Sequence, residues 1–469
     1  MAGRSRRLGP FSRLPRRVRT ALVIAGFVLG AIIRVALLPV PGSPDVASWK
    51  TWSFAASTDA TALYGVGGTP PEPRVIHWRG IKSTTEYPPL ALYELAVVGR
   101  IYRAIDPAYD DTPLLTALVK MPGVMAEITL VMGLMVWGRR LFGPEAATWT
   151  ALAIWLNPAV VINGAALGYL DAQMAAPALL ALVAAAGGFP AAAGALTAAA
   201  VLTKAQALFV APVIVLVAMR RQEDLALRFM RLDTLAKRNL WLFAIGAGVT
   251  AAIIVLPIVL RGAGPNMLQA VSRLPSHDML SGYALNAWWL VTWILRAVYA
   301  LHLGPFQAFT MPVRILGRQR FMEIAFIDPK FIGSGIVALL IVWVLWRFGT
   351  RRSLSVWAAT AGWCVFAYFM FAAQVHENHL YLAVSFFALA AGLERRFRAP
   401  FYAVSAICAI NMYVFYGIGD GRPLPFERSV TGLDLTVVLS LINLALFGFV
   451  TSETRGTGLP DRNAGVDDD

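Results

Sequence analysis

The chain has 469 residues, of which 58% are hydrophobic and only 14% are charged, and its mean hydropathy is +0.62. A soluble domain of this length does not stay so apolar, so the composition excludes a soluble enzyme and predicts a membrane protein with many spans. The formal net charge of +14 would suggest nucleic acid as the partner of a soluble protein. Here arginines that flank spans and face anionic lipid explain it better.

Apolar segments recur without a long polar block between them, which predicts one integral membrane domain over residues 21–450 and no separate soluble domain. A basic N-terminus of residues 1–20 precedes it, with seven arginines and no acid. A polar tail of residues 451–469 follows, which we expect to be disordered and cytoplasmic. Cys364 and Cys408 both lie in apolar runs, so buried thiols are expected and no disulfide framework is implied.

The first span is predicted at Ala21–Val40, which is long enough to cross a bilayer. Its basic flank places the N-terminus in the cytoplasm. A cleaved signal peptide is the alternative, but the apolar run is long for one and no small-x-small site ends it. Residues 44–90 then form the first outer loop.

This loop is the first long polar interruption of the chain, running from Pro44 to Leu90. Val46, Trp49 and Trp52 recur at helical spacing, which predicts a short helix in the outer interface. The next apolar run, Tyr87–Tyr102, could span, but we expect a second interfacial helix, since the run after it ends in a pair of arginines that favours the cytoplasm.

About twelve spans follow from the alternation of apolar runs, with both chain ends inside. Residues 261–330 are expected to form a second long outer segment with interfacial helices, although Ala284–Leu303 within it could span. The orientation depends on arginine pairs that favour the cytoplasmic side, namely Arg139–Arg140, Arg220–Arg221, Arg351–Arg352 and Arg395–Arg396. We find no convincing internal repeat, whereas a paired, inverted pattern would have favoured a transporter.

On this topology the unusual ionisable residues gather at the outer side. They are Asp45, Asp171 and Glu377 among the acids, and Arg34, Lys120, Lys204 and His376 among the cations and titratable rings. For Arg34 and Lys204 the alternative is snorkelling of a long side chain to the interface. For Asp45 it is an ordinary loop acid.

The polar run from Gln374 to His379 interrupts two apolar spans. His376 and His379 are three residues apart, whereas zinc ligands on one helical face take the i, i+4 spacing of H-E-x-x-H. We therefore expect no metal and no cofactor.

A carboxylate, several cations and burial in a membrane suit one chemistry. The carboxylate removes a proton from an acceptor hydroxyl, and the cations stabilise a departing phosphate. The donor would be a lipid-phosphate sugar, because no glycine-rich nucleotide motif is present.

The chain resembles the GT-C superfamily of polytopic glycosyltransferases, which use polyprenyl- or dolichyl-phosphate sugars. The resemblance is carried by an ordered set of motifs: Asp45 in the first outer loop, TyrProProLeu at 87–90, Lys120 to Gly143, Gly168 to Gln173, Thr203 to Gln206 and ValHisGlu at 375–377. The pairing of TyrProProLeu with ValHisGlu is similar to dolichyl-phosphate-glucose-dependent glucosyltransferases of N-glycan precursor assembly and to bacterial and archaeal mannosyltransferase-like relatives.

The resemblance implies an all-α fold of the GT-C type and glycosyl transfer to a lipid, glycan or protein acceptor on the outer face. The family's sugar choice does not carry over, because the chain departs from the family's pattern around Asp45 and Tyr169. We expect a hexose, mannose or glucose, and an inverting transfer, since one carboxylate base suffices when the sugar inverts. The resemblance also implies Asp45 as the catalytic base and His376 as a donor-phosphate contact, to which we add Arg34 and Lys204. The remaining candidate substrate contacts are Trp49, His77, Tyr87, Lys120, Asp171, Gln173 and Glu377.

Two other classes compete with an enzyme. A transporter or flippase for a lipid-linked sugar predicts ionisable residues at the middle of spans rather than at their outer ends. A structural membrane anchor explains neither the outer loops nor Lys204. In each case we expect a multi-pass protein in the plasma membrane of a bacterium or archaeon, without nucleic acid as a partner.

Overall fold

A computed structural model describes residues 15–68, 72–219, 234–273, 277–299, 313–347, 353–420, 429–430 and 433–455. The first half of this described chain contains two short strands and eleven α-helices: α1 Arg16–Leu37, α2 Asp45–Ala56, β1 Val75–Trp78, β2 Ile81–Thr84, α3 Pro89–Ile105, α4 Pro113–Gly133, α5 Arg139–Phe142, α6 Pro144–Trp155, α7 Pro158–Val161, α8 Asp171–Ala186, α9 Pro190–Thr203, α10 Ala211–Ala218 and α11 Thr234–Leu260.

The second half continues with eight α-helices and four two-residue strands: α12 Gly264–Arg273, β3 Ser281–Gly282, α13 Ala287–Val298, α14 Arg318–Met322, α15 Pro329–Arg347, α16 Leu354–Phe371, β4 Val375–His376, α17 Tyr381–Leu393, α18 Arg398–Tyr416, β5 Ser429–Val430, β6 Leu433–Asp434 and α19 Leu435–Arg455. The first residues of the tail, through Arg455, are therefore helical, which corrects the expectation of a tail disordered from residue 451. The rest of that tail lies outside the described residues.

Long apolar helices confirm the prediction of an all-α, multi-pass membrane protein. Within the described ranges, seven helices are long and apolar enough to cross a membrane, and an eighth counts if α6 and the segment Pro158–Leu167, bent by 48°, form one broken span. Four shorter apolar helices, α8, α9, α13 and α17, add to these. The count of about twelve spans is therefore not confirmed.

The burial of the helices separates a centre from a periphery. In α16, 83% of the most apolar window is buried, against 11% in α1, 17% in α11 and 22% in α15. Since lipid is as apolar as a leucine side chain, helices with large exposed apolar faces form the outside of a membrane protein. Helices α8, α16 and α17 therefore form the core, and α1, α11 and α15 lie around it.

Residues 44–90, the predicted first outer loop, fold into α2, the antiparallel hairpin β1–β2 and α3. The short helix predicted around Trp49 and Trp52 is present, but these tryptophans are only 2% and 3% exposed. Their indole N–H groups donate to Gly168 O and to Ser83 Oγ, each at 2.9 Å. Both rings therefore pack inside the protein and not against lipid.

The second long segment is joined to the run Gln374–His379 by the parallel pairing of β3 with β4. Ser281 lies opposite Val375, and Gly282 lies opposite His376. A Cβ on Gly282 would lie 2.7 Å from Nδ1 of His376, so only glycine lets the imidazole lie across this strand. This junction brings two regions that are far apart in sequence to one side of the bundle.

Candidate functional site

A cavity of about 1050 Å³ lies where the first outer loop, the second long segment and the Gln374–His379 run meet. Its polar wall carries the side chains that could act on a ligand, namely Asp45, Glu86, Tyr87, Tyr169, Lys204, His277, His376, Glu377 and Asn378. Among the residues proposed from the sequence, Asp45, Trp49, Tyr87, Lys204, His376 and Glu377 line it.

Asp45 is the first residue of α2 and follows Pro44, whose φ of −55° is already helical. Its side chain is half-buried, and no hydrogen bond or ion pair from a described residue reaches the carboxylate. Burial raises the pKa of Asp45 above its usual value, Lys204 opposes this, and Asp171 and Glu86 add to it. The carboxylate is therefore open to a ligand and more basic than an exposed aspartate.

Glu377 is a second cavity carboxyl, with only one of its two oxygens bonded. The Tyr169 hydroxyl donates to Oε1, while Oε2 has no hydrogen-bond partner among the described residues and lies 3.9 Å from Nδ1 of His376. Burial raises the pKa of Glu377 to about 7. Near neutral pH it is therefore present in both protonation states.

Two histidines face each other across the cavity wall. The rings of His277 and His376 are 5.8 Å apart, and Nε2 of His277 is 3.5 Å from Oε2 of Glu86. Burial, with smaller contributions from His277 and Lys204, lowers the pKa of His376 to about 4. At neutral pH His376 is thus an uncharged ring that can donate one N–H and accept at the other nitrogen.

Lys204 lies between the end of α9 and a 3₁₀ turn, as its position in ThrLysAlaGln suggested. Its Nζ is 2.6 Å from Oδ1 of Asp171. Oδ2 of Asp171 accepts from Asn163 at 2.8 Å and from Asn378 at 2.7 Å. The charge of Lys204 is therefore shared with a buried carboxylate, although the residue lines the cavity.

Four other proposed residues do not line the cavity, namely Arg34, His77, Lys120 and Gln173. Arg34 is 1% exposed, has its Nε 2.5 Å from Oε2 of Glu127 and lies over Trp155. His77 is an exposed residue of β1 opposite Lys82. Gln173 is buried in α8.

Lys120 is also buried, and its amine donates to backbone carbonyl groups. Like Arg34, His77 and Gln173, it does not line the cavity, so the structure does not bring these four side chains to Asp45.

Tyr169, His277 and Lys330 also line the cavity, although the sequence did not predict them as site residues. Tyr169 lies in the Gly168–Gln173 motif, so its place beside Asp171 was an available signal. His277 and Lys330 lie in the long outer segment, where no motif marked either one. Within the described residues no group of three histidine, cysteine or acidic side chains is arranged to hold a metal ion.

No family model matches the chain, and no curated protein matches it. Solved structures similar in fold include ArnT from Cupriavidus metallidurans bound to undecaprenyl phosphate, at 15% identity and a TM-score of 0.48, covering 93% of this chain and 77% of ArnT. The archaeal oligosaccharyltransferase AglB from Archaeoglobus fulgidus, in complex with an inhibitory peptide and a dolichol-phosphate, is similar at 14% identity and a TM-score of 0.41. That match covers 95% of this chain, which spans 57% of AglB.

Proposed function

We propose that this protein is an inverting glycosyltransferase that moves a hexose, mannose or glucose, from a polyprenyl phosphate to an acceptor hydroxyl at the outer face of the membrane. The observation that carries the proposal is a single cavity in which an unpaired carboxylate meets the apolar face of a membrane-length helix. A soluble sugar donor would need no such apolar wall.

The apolar wall is one face of α15. The residues that face the cavity recur every three or four positions, as a single helix face requires: Lys330, Ser334, Val337, Ala338, Ile341 and Val342. At 1.5 Å per residue this face is about 18 Å long, and it changes from polar to apolar along its length. Val342, at its apolar end, is 63% exposed on a peripheral helix. This supports a ligand with a polar head and a long hydrocarbon tail that leaves towards the bilayer.

The polar end of this helix face is evidence for a ligand with an anionic headgroup. Asp328, two residues before Lys330, accepts from Nε of Arg318 at 2.9 and 3.0 Å. Lys330 itself makes no ion pair with a described residue. We propose that Lys330 and the N–H of His376 meet the donor phosphate, with Lys204 contributing charge that Asp171 already compensates in part.

The chemistry needs one base. The acceptor hydroxyl loses its proton to the Asp45 carboxylate as its oxygen bonds to the anomeric carbon. The bond between that carbon and the phosphate oxygen breaks on the opposite side, and the phosphate leaves with the electron pair as an anion. No general acid is required, and the sugar inverts. Retention would require a carboxylate nucleophile close to the anomeric carbon, by analogy with glycosidases.

The test uses the full chain in lipid vesicles with polyprenyl-phosphate mannose and polyprenyl-phosphate glucose, labelled in the sugar. We expect release of polyprenyl phosphate and a glycoside with the opposite anomeric configuration to the donor. A product of retained configuration contradicts the mechanism, and absence of transfer with both donors contradicts the choice of hexose.

A lipid-linked-sugar flippase is the competing function. It would carry the donor across the membrane with the sugar–phosphate bond intact. The pair Arg34–Glu127 within the spans is the feature such a protein predicts, but the two charges compensate each other and neither residue lines the cavity. Translocation of intact donor without transfer would favour the flippase.

A further inference from the structure

The amine of Lys120 is enclosed by three backbone carbonyls from two separate segments. It donates to Val40 O at 2.5 Å, to Ala166 O at 2.7 Å and to Ala165 O at 3.3 Å. An ammonium has three N–H donors and no acceptor, so these contacts use its whole capacity. Lys120 is 2% exposed and does not line the large cavity, so its charge is directed at the protein and not at a ligand.

Two of the three carbonyls lie at the end of a helical segment, and the third lies in the turn after α1. Val40 follows the end of α1, and Ala165 and Ala166 lie in the last turn of the segment Ile162–Leu167. The last carbonyls of a helix have no partner within it, and a cation is favoured at that end. Lys120 therefore caps the C-terminus of the segment Ile162–Leu167 and ties it to the turn that follows α1.

The turns that follow α1 and the segment Ile162–Leu167 lead directly to polar residues of the cavity. One passes through Gly42 and Ser43 to Asp45, and the other passes through Gly168 to Tyr169, which donates to Glu377. The turns also bond to each other, since Ser43 N donates to Leu167 O at 2.9 Å. The cavity carboxyls are thus set relative to each other by the junction that Lys120 holds.

The glycines of both turns close on the lysine stem. Gly42 has a φ of +89° and Gly168 a φ of +76°, conformations that other residues rarely adopt. A Cβ on Gly168 would lie 2.8 Å from Cγ2 of Val46 and 2.9 Å from Cγ of Lys120, and one on Gly42 would lie 2.7 Å from Cγ2 of Val46 and 3.1 Å from Cε of Lys120. The backbone and the lysine are therefore fitted to each other at this junction.

We infer that Lys120 is a positioning residue, which fixes the Asp45 turn against the Tyr169 turn and so sets the geometry of the base relative to the donor. The inference rests on the proposed transferase function. It replaces the expectation that Lys120 contacts substrate. The effect of losing it falls on the chemical step, since misplacement of a reacting group by about 1 Å can cost roughly 10²-fold in rate.

The experiment compares the parent protein with Lys120→Met, which keeps the stem and removes the three donors, and with Lys237→Gln as a control for loss of an exposed lysine outside the cavity. For each, kcat, donor KM, the pH profile of kcat and the stoichiometry of binding of polyprenyl phosphate without sugar are measured. We expect Lys120→Met to lower kcat by about 10²-fold, with donor KM and lipid stoichiometry within about twofold of the parent. The acid limb of its pH profile should also move, because the surroundings of Asp45 change.

A merely structural role predicts a different result, in which kcat and lipid stoichiometry fall in the same proportion and the pH profile stays in place. That result overturns the inference. A raised donor KM at unchanged kcat also overturns it, because it would make Lys120 a substrate contact. If Lys120→Met does not fold, Lys120→Gln decides, since it removes the charge but keeps a polar N–H donor and should lower kcat in the same selective way. An inactive parent that binds no polyprenyl phosphate overturns the proposed function together with this inference, whereas an active parent with an equally active Lys120→Met overturns the inference alone.

Discussion

Arg34 and Glu127 lie inside the helical bundle, and Asp45 lies at the wall of the cavity. The first two are each 1% exposed and bonded to each other, whereas the Asp45 carboxylate has no hydrogen-bond partner among the described residues. Burial of a lone charge is costly, so a charge within the bundle persists only with a partner. A charge at the cavity wall needs no partner within the protein, because water or a ligand can bind to it.

Lys204 and Asp171 stand between these two cases. They form a buried pair like Arg34 and Glu127, yet Lys204 lines the cavity like Asp45. Charges inside the bundle therefore hold the fold and charges at the cavity wall meet a ligand, while the Lys204–Asp171 pair does both. Four substitutions test that division, from the largest expected effect to the smallest.

Asp45→Asn should have the largest effect on catalysis. It keeps the shape of the side chain and removes the base, so we expect transfer to fall by roughly 10³-fold, within the range of general base catalysis. Binding of polyprenyl phosphate without sugar should survive. Asp59→Asn, in the same outer loop but outside the cavity, is the matched control and should transfer at the parent rate. Transfer by Asp45→Asn at the parent rate would exclude Asp45 as the base.

Arg34→Met should have the largest effect on stability. It leaves Glu127 as an unpaired buried charge, which typically costs about 3–5 kcal/mol of unfolding free energy. Thermal unfolding in lipid measures the loss, and the double variant Arg34→Met/Glu127→Met should recover most of it. Because neither residue lines the cavity, the folded fraction should keep the parent kcat. A raised donor KM at unchanged stability would instead make Arg34 a phosphate ligand.

Lys204→Met tests the intermediate pair. Loss of a contact to the developing phosphate charge should lower kcat by roughly 10²-fold, as for a removed oxyanion donor. Loss of the pair should also destabilise the protein by leaving Asp171 without its cation. Asp171→Asn in the same chain should restore stability but not kcat. Normal turnover by Lys204→Met would assign Lys204 to the fold alone.

Lys330→Gln should have the smallest effect. Removing one charge-assisted contact to the donor head should raise donor KM about tenfold and leave kcat within a factor of about three. Lys330→Arg keeps the charge and should stay within about threefold of the parent KM. If Lys330→Gln leaves KM unchanged, the donor phosphate is held elsewhere in the cavity.

The sequence by itself determined the class of the protein and several local elements. Composition gave a multi-pass membrane protein because hydropathy is a sum over residues and needs no contacts. Periodicity gave α2 because the spacing of Val46, Trp49 and Trp52 is local. Motifs in separate parts of the chain singled out Asp45, Lys204, His376 and Glu377, which line one cavity.

Only the tertiary structure decided which of the charged residues singled out from the sequence are bonded to other groups of the protein. Arg34 is bonded to a residue 93 positions away, and Lys204 to one 33 positions away. Lys120 bonds to carbonyls 80, 46 and 45 positions away, and backbone carbonyls leave no mark in a sequence. His277 and Lys330 reached the cavity only through the β3–β4 pairing and the packing of α15. The physical reason is that a long charged side chain looks the same in sequence whether its partner is lipid, protein or ligand, and only the fold fixes what lies within about 3 Å of it.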